Sequence, residues 1–229
     1  LLLGALIFVA YILQTEGLAR TTATNAGFIT GLYVVFTPIL ALWLFGQRAG
    51  KAAWAAVAAS VLGLALLSVP GLDDLQPRLG DLLVLASALA WAGQAVAVGR
   101  FASHHPSSVL SLAQMGTAAA LHLIATAWTG LRPAAAVDAW YLLVITGVLG
   151  SGLAYTLQVI AQRRVSATRA VVILAGESVA AAAFSAVWLG ERLAAHQWIG
   201  AAIVLGAMAL SELGARREAA LRFEPGAAL

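Results

Sequence analysis

The sequence predicts an all-α fold: a polytopic membrane helix bundle assembled from two inverted repeats. Three observations carry this expectation. The 229-residue chain is 62% hydrophobic and only 10% charged, with a mean hydropathy of +0.91, where a soluble domain has roughly 45–50% apolar and about 25% charged residues. The apolar residues fall into runs of membrane-spanning length, divided by short stretches of Arg, Asp, Gly and Pro. Finally, the chain repeats itself at a fixed offset of 144 residues.

A helix needs about 20 mainly apolar residues to cross the hydrocarbon. Eight segments meet that length, at 1–19, 26–45, 53–69, 82–101, 108–128, 140–161, 170–189 and 197–213. Breakers and charges separate them. Gln47 to Lys51 divides the second from the third, Pro70 to Asp81 the third from the fourth, and His104-His105-Pro106, Arg132-Pro133 and Arg163-Arg164 the next three. Residues 215–229 read as a short, charged cytoplasmic tail, poorly ordered.

Loop charge sets the orientation. Arg48, Lys51, Arg100, Arg163, Arg164, Arg169, Arg216, Arg217 and Arg222 fall on one side, against Arg20, Arg78, Arg132 and Arg192 on the other. Cytoplasmic loops carry the excess of Lys and Arg, so the C-terminus is expected in the cytoplasm. The pI near 9.8 does not indicate nucleic acid as a partner, because the basic residues sit singly or in pairs and form no stripe. The chain has no cysteine, which removes disulfides and thiolate metal sites. No cofactor is expected. The expected partners are the lipid bilayer and a small-molecule substrate, and a homodimer is compatible with the sequence.

The repeat is ungapped. Ala10-Tyr11-Ile12-Leu13-Gln14 matches Ala154-Tyr155-Thr156-Leu157-Gln158, Ala23-Thr24 matches Ala167-Thr168, Gly46-Gln47-Arg48 matches Gly190-Glu191-Arg192, and Trp54 matches Trp198. Residues 1–70 thus read as the last three helices of a first unit, and residues 79–214 as a complete second unit of five. By this count the full protein has ten helices, and two helices, about 65 residues, are expected before Leu1. The only methionines are Met115 and Met208, and Leu1-Leu2-Leu3 has no basic flank, so it does not read as a signal peptide. Five is odd, so the two units have opposite topology, a common plan for secondary transporters with a site near the midplane.

Glu177 is the sharpest functional candidate. It lies within the apolar run Val171 to Val179, and a carboxylate at the bilayer centre costs about 3 kcal/mol on insertion scales. It reads either as a proton- or cation-binding group or as a neutral acid hydrogen-bonded to a neighbouring helix. Polar residues also line up at helical spacing: Ser151, Tyr155, Gln158 and Gln162; Ser87, Trp91 and Gln94; Gln114 and His122; Tyr11 and Gln14. Lipid offers no hydrogen bonds, so these stripes face the bundle interior, as a polar cavity or as interhelical hydrogen bonds. The residues expected to bind substrate or proton are Glu177, Tyr155, Gln158, Gln94, Trp91, Gln114, Tyr11 and Gln14.

Other polar residues have plainer readings. His122 fits a packing role better than a proton relay. His104-His105 has no nearby acid or cysteine to complete a metal site. Glu191-Arg192 and Gln47-Arg48 mark helix ends, and Glu16 and Arg20 suit a local ion pair at the interface. Gly27, Gly31, Gly147, Gly150 and Gly152 are expected to let helices approach closely.

The run ending in Gly190-Glu191-Arg192 and followed by Gln197-Trp198-Ile199-Gly200-Ala201-Ala202 resembles the end of an EamA-type unit of the drug/metabolite transporter superfamily. Thr24 to Tyr33 through Pro38, and Gly80-Asp81-Leu82-Leu83 with Trp91, are similar to many bacterial members. The resemblance implies a secondary transporter of the bacterial inner membrane. It implies export of small metabolites such as amino acids or amines, or of drugs, by alternating access between the repeats. A proton gradient is the implied driving force. Where the family often has Glu-Pro, this chain has Glu177-Ser178, which implies a less kinked helix there. Gln47 stands where the second unit has Glu191, so an acid at that boundary is not required in both halves. Two rivals are a membrane-embedded enzyme acting on lipid-linked substrates, which would want clustered His, Asp or Ser at one face, and a non-transporting scaffold.

Overall fold

The computed structural model describes residues 1–68, 78–129, 137–138, 140–188, 190 and 192–223. The linker Pro70 to Asp74, Arg132-Pro133, Leu189 and Glu191 lie outside them. Among the described residues the α-helices are α1 (Leu2–Leu18), α2 (Ala23–Gly31), α3 (Tyr33–Phe45), α4 (Lys51–Ser68), α5 (Leu79–Phe101), α6 (Ser107–Thr129), α7 (Trp140–Val144), α8 (Ala154–Gln162), α9 (Ala167–Leu174), α10 (Gly176–Trp188) and α11 (Ala195–Phe223). A π-helical segment, Ile145–Leu153, joins α7 to α8. Among the described residues, seven helical stretches are long and apolar enough to cross a membrane, and α1 is a shorter apolar helix.

The repeat seen in sequence is also a repeat of local geometry. The Thr22 side chain caps α2 by accepting from the Asn25 N–H at 3.1 Å, and Ser166, its partner at the same offset, caps α9 by accepting from the Arg169 N–H at 3.3 Å. Each cap satisfies an amide that the first turn of a helix leaves unpaired. At the far ends, Gly46 and Gly190 both take positive φ, 65° and 68°, a left-handed stop that only glycine adopts without strain. Between cap and stop, both spans are interrupted, at Leu32 between α2 and α3 and at Ala175 between α9 and α10, breaks that fall within one residue of each other at the repeat offset. The break before Glu177 therefore exists without the proline whose absence suggested a straighter helix. A tightened turn makes it: the Ser178 N–H donates to the Ala175 carbonyl at 3.2 Å, three residues back instead of four.

One further expectation is corrected. Residues 215–223 continue α11, because Ala215 to Phe223 holds no Gly or Pro and is rich in strong helix formers. The predicted span 140–161 is present as the helical stretch Trp140–Gln162, but its geometry is not uniform. Its glycine-rich stretch Ile145–Leu153 is π-helical, consistent with the poor α-helix propensity of glycine.

Without a hydrophobic drive between helices inside lipid, close packing holds such a bundle together. The closest approaches are at glycines, though not all those expected. A Cβ on Gly63 would sit 2.8 Å from the Gly200 carbonyl oxygen, and one on Gly200 2.7 Å from that of Gly63, so α4 and α11 meet backbone to backbone. Gly17 and Gly80 join α1 to α5 in the same way. Gly31 meets Leu64, but Gly27, Gly147 and Gly150 have nothing within 4 Å of a Cβ position, and Gly152 meets only the Gly147 carbonyl of its own segment. The core between α3, α4, α9 and α11 is filled by Val34, Leu64, Val171, Val172 and Val204. Trp43, Trp128, Trp140 and Trp188 are exposed near helix ends, as suits the membrane–water interface.

Contacts sort the helix ends into two groups. At one end Gly17 meets Gly80, the Thr21 hydroxyl donates to Asp81, and the Gln197 amide donates to the Leu67 carbonyl at 3.2 Å. At the other, Arg100 lies over the Phe45 ring, Arg163 donates to Ser107 at 3.3 Å, Arg169 pairs with Glu212, and Gly214 packs on Ala52. The C-terminal end of α1 belongs to the first group and that of α8 to the second, so these repeat-related helices run in opposite directions. Glu16 and Arg20 form the expected local pair, half exposed at the end of α1.

Candidate functional site

The middle of the bundle holds a cavity of about 420 Å³ lined by Tyr11, Gln14, Thr30, Tyr33, Trp91, Gln94, Ala95, Gly150, Ala154, Tyr155, Gln158, Leu174 and Glu177. The lining residues lie within the apolar helical stretches, several of them beside the breaks: Tyr33 opens α3, Ala154 opens α8 and Leu174 closes α9. Glu177 lies at the midpoint of the stretch Ala167–Trp188. Seven of the eight residues predicted from sequence are in this lining. The eighth, Gln114, is fully buried behind it and accepts from the Gln94 amide at 3.3 Å.

The lining follows the repeat. Tyr11 pairs with Tyr155, Gln14 with Gln158, Thr30 with Leu174 and Tyr33 with Glu177, each at the offset of 144 residues. Eight of the thirteen lining residues are thus the same positions of the two units, and the carboxylate occupies in the second unit the position that a phenol holds in the first. Tyr33 and Thr30 were not among the predicted site residues. Projecting Glu177 back through the repeat would have found Tyr33.

Glutamines hold the walls. Gln94 and Gln158 exchange amide hydrogen bonds at 3.2 and 3.4 Å. The Trp91 indole N–H donates to Gln14 at 3.0 Å, and Gln14 donates to Thr30 at 3.4 Å. Gln162, at the end of its stripe, donates to the Ala95 carbonyl at 3.2 Å and does not line the cavity. Ser87 is fully buried and also stays out of it. The aromatic rings form a continuous surface: Tyr11 meets Trp91 edge to face at 5.0 Å, and Trp91 stacks on Tyr155 at 6.1 Å. Glu177 lines the cavity yet is exposed, rather than enclosed as its midspan position suggests.

A second cavity of about 340 Å³ lies beyond Tyr11 and Tyr155, which line both. Ser151 and His122 belong to it, and the His122 ring donates through Nδ1 to the Ala118 carbonyl at 2.8 Å. His104 and His105 sit apart, each ring bonded to a carbonyl of the last turn of α5, those of Arg100 and Phe101.

With the geometry in place, comparison with known proteins decides the family. The EamA-like transporter family matches residues 1–69 and 78–213. The chain belongs to this family. An "Uncharacterized transporter" of Archaeoglobus fulgidus is 30% identical over 211 residues, covering 92% of this chain and 67% of the relative. A crystal structure of a protein superposes with a TM-score of 0.80 at 21% identity, over 94% of this chain and 76% of the other, which supports the fold. This EamA-family chain is thus a multi-pass membrane transporter handling small molecules in a lipid bilayer.

Proposed function

We propose that the chain is the substrate-binding bundle of a proton-coupled exporter of small amines or amino acids in a bacterial inner membrane, with its C-terminus in the cytoplasm. The observation that carries this is the chemistry of the central cavity: among the described residues its lining has one carboxylate, Glu177, several aromatic rings and amides, and no Arg, Lys or His. Such a site favours an ammonium group. The carboxylate supplies the charge, and the faces of Tyr11, Trp91 and Tyr155 attract a cation through their quadrupoles. An anionic substrate would find no basic partner there.

One carboxylate can hold a proton or pair with an ammonium, and each excludes the other. That competition couples the two fluxes. Cation arrival releases the proton, and proton return displaces the cation. The repeats would alternate access by rocking around the shared axis. The orientation rests on the basic end that gathers Arg48, Lys51, Arg100, Arg163, Arg164, Arg169, Arg216 and Arg217.

Uptake of radiolabelled amines and amino acids into proteoliposomes under an imposed pH gradient tests the reading. Gradient-dependent accumulation of some compounds, lost in Glu177→Gln with the protein still folded, is the expected result. Accumulation that is equal in both proteins would remove Glu177 from the mechanism.

A further inference from the structure

We infer that the second cavity is a specificity pocket for the apolar end of the substrate, so that the preferred ligand is an amphipathic amine long enough to pass the Tyr11–Tyr155 pair. This rests on the proposed binding of an ammonium at Glu177.

Three observations support it. The two cavities share a wall made of Tyr11 and Tyr155, the only residues common to both linings among the described residues. One hydrogen bond joins the two hydroxyls across that wall, at 3.2 Å, and rotation of either ring away from its contact with Trp91 would join the cavities. The linings also differ in chemistry. The first carries the acid and the glutamines. The second is bounded by Ile7, Met115, Ala118, Ala119, Gly147 and Gly152, with His122 and Ser151 as its other polar members. Since the His122 Nδ1 donates to Ala118, the neutral ring presents Nε2 as an acceptor. The joined space therefore has an acidic aromatic end and a mostly apolar end whose polar groups are His122 and Ser151.

The floor of the second cavity is the π-helical segment, through Gly147, Ser151 and Gly152, while Gly150 of the same segment faces the first. π-Helical turns recur at functional sites. Here the glycines leave open volume: a Cβ on Gly147 meets nothing within 4 Å.

The test is calorimetric titration of the purified chain with benzylamine and with 4-phenylbutylamine. The wild type, Glu177→Gln, Gly147→Leu and Ala119→Phe are compared. The two filling variants lie on different elements, so a fold defect in one does not decide the outcome. Three added methylenes should tighten binding by at least about tenfold when buried. We expect the wild type to prefer the longer amine by that factor, both amines to lose binding in Glu177→Gln, and the preference to fall to about one in each filling variant. Partition into detergent is common to all variants and cancels. If the wild-type preference survives in both filling variants, the pocket inference is overturned while the Glu177 reading stands on its own dependence. If the wild type binds neither amine, both fall.

Discussion

The hydroxyl of Tyr155 donates a hydrogen bond to the hydroxyl of Tyr11 at 3.2 Å, and these residues are repeat partners, 144 positions apart. A residue can touch its own symmetry mate only at the symmetry axis. The pair therefore marks the pseudo-two-fold axis of the two units, and the cavity that both tyrosines line lies on it.

Removing either hydroxyl removes this bond. Tyr11→Phe and Tyr155→Phe should each lose about 1 kcal/mol of stability, the usual net value of a neutral hydrogen bond. Because the bond is shared, the double variant should lose hardly more than either single one. Unfolding of the four proteins in detergent measures the coupling. Additive losses would mean that the hydroxyls do not act as a pair.

The seam between α4 and α11 has no room for a side chain. Gly63→Val would place Cβ within 3 Å of the Gly200 carbonyl and the Val204 amide. Overpacking of this kind typically costs about 1–3 kcal/mol, here against backbone atoms that cannot rotate away. Gly116→Val, where a Cβ meets nothing within 4 Å, should be tolerated. Size-exclusion profiles and melting temperatures of the two variants check the contrast.

Much of this was legible in the sequence because membrane packing leaves a strong signature. The ungapped offset pairing Tyr11 with Tyr155 and Gln14 with Gln158 predicted the symmetry, and the polar stripes predicted the walls, since polar groups in lipid must turn inward. Departures from regular helix geometry were not legible. The expectation of close packing at Gly147, Gly150 and Gly152 failed because small residues equally suit a π-helical wall. The break before Glu177 was hidden because it is made by a tightened turn at Ala175 and needs no proline. Gln114 read as lining because it shares a helix face with His122, yet Gln94 lies between it and the cavity.

The repeat makes an exchange testable. Tyr33 and Glu177 hold equivalent positions and line one cavity. Glu177→Tyr alone should abolish pH-driven accumulation, and adding Tyr33→Glu should recover part of it by returning one carboxylate to the opposite wall. Recovery is measured as labelled amine uptake. None in a folded double variant would mean that the site is not functionally symmetric.

The absence of cysteine allows orientation to be read with single labels. Arg217→Cys should react with a membrane-impermeant maleimide only from the cytoplasmic side of oriented vesicles, and Arg20→Cys only from the other. The reverse pattern would invert the topology and with it the direction of export.

The central claim is that Glu177 exchanges a proton for a cationic substrate. The direct measurement is luminal pH in dye-loaded proteoliposomes when a transported amine is added outside, with wild type and Glu177→Gln side by side. The account predicts a rapid pH change that tracks amine entry in the wild type, and neither pH change nor entry in the variant. Amine entry with no accompanying proton movement in the wild type, or an undiminished pH response in Glu177→Gln, would contradict it.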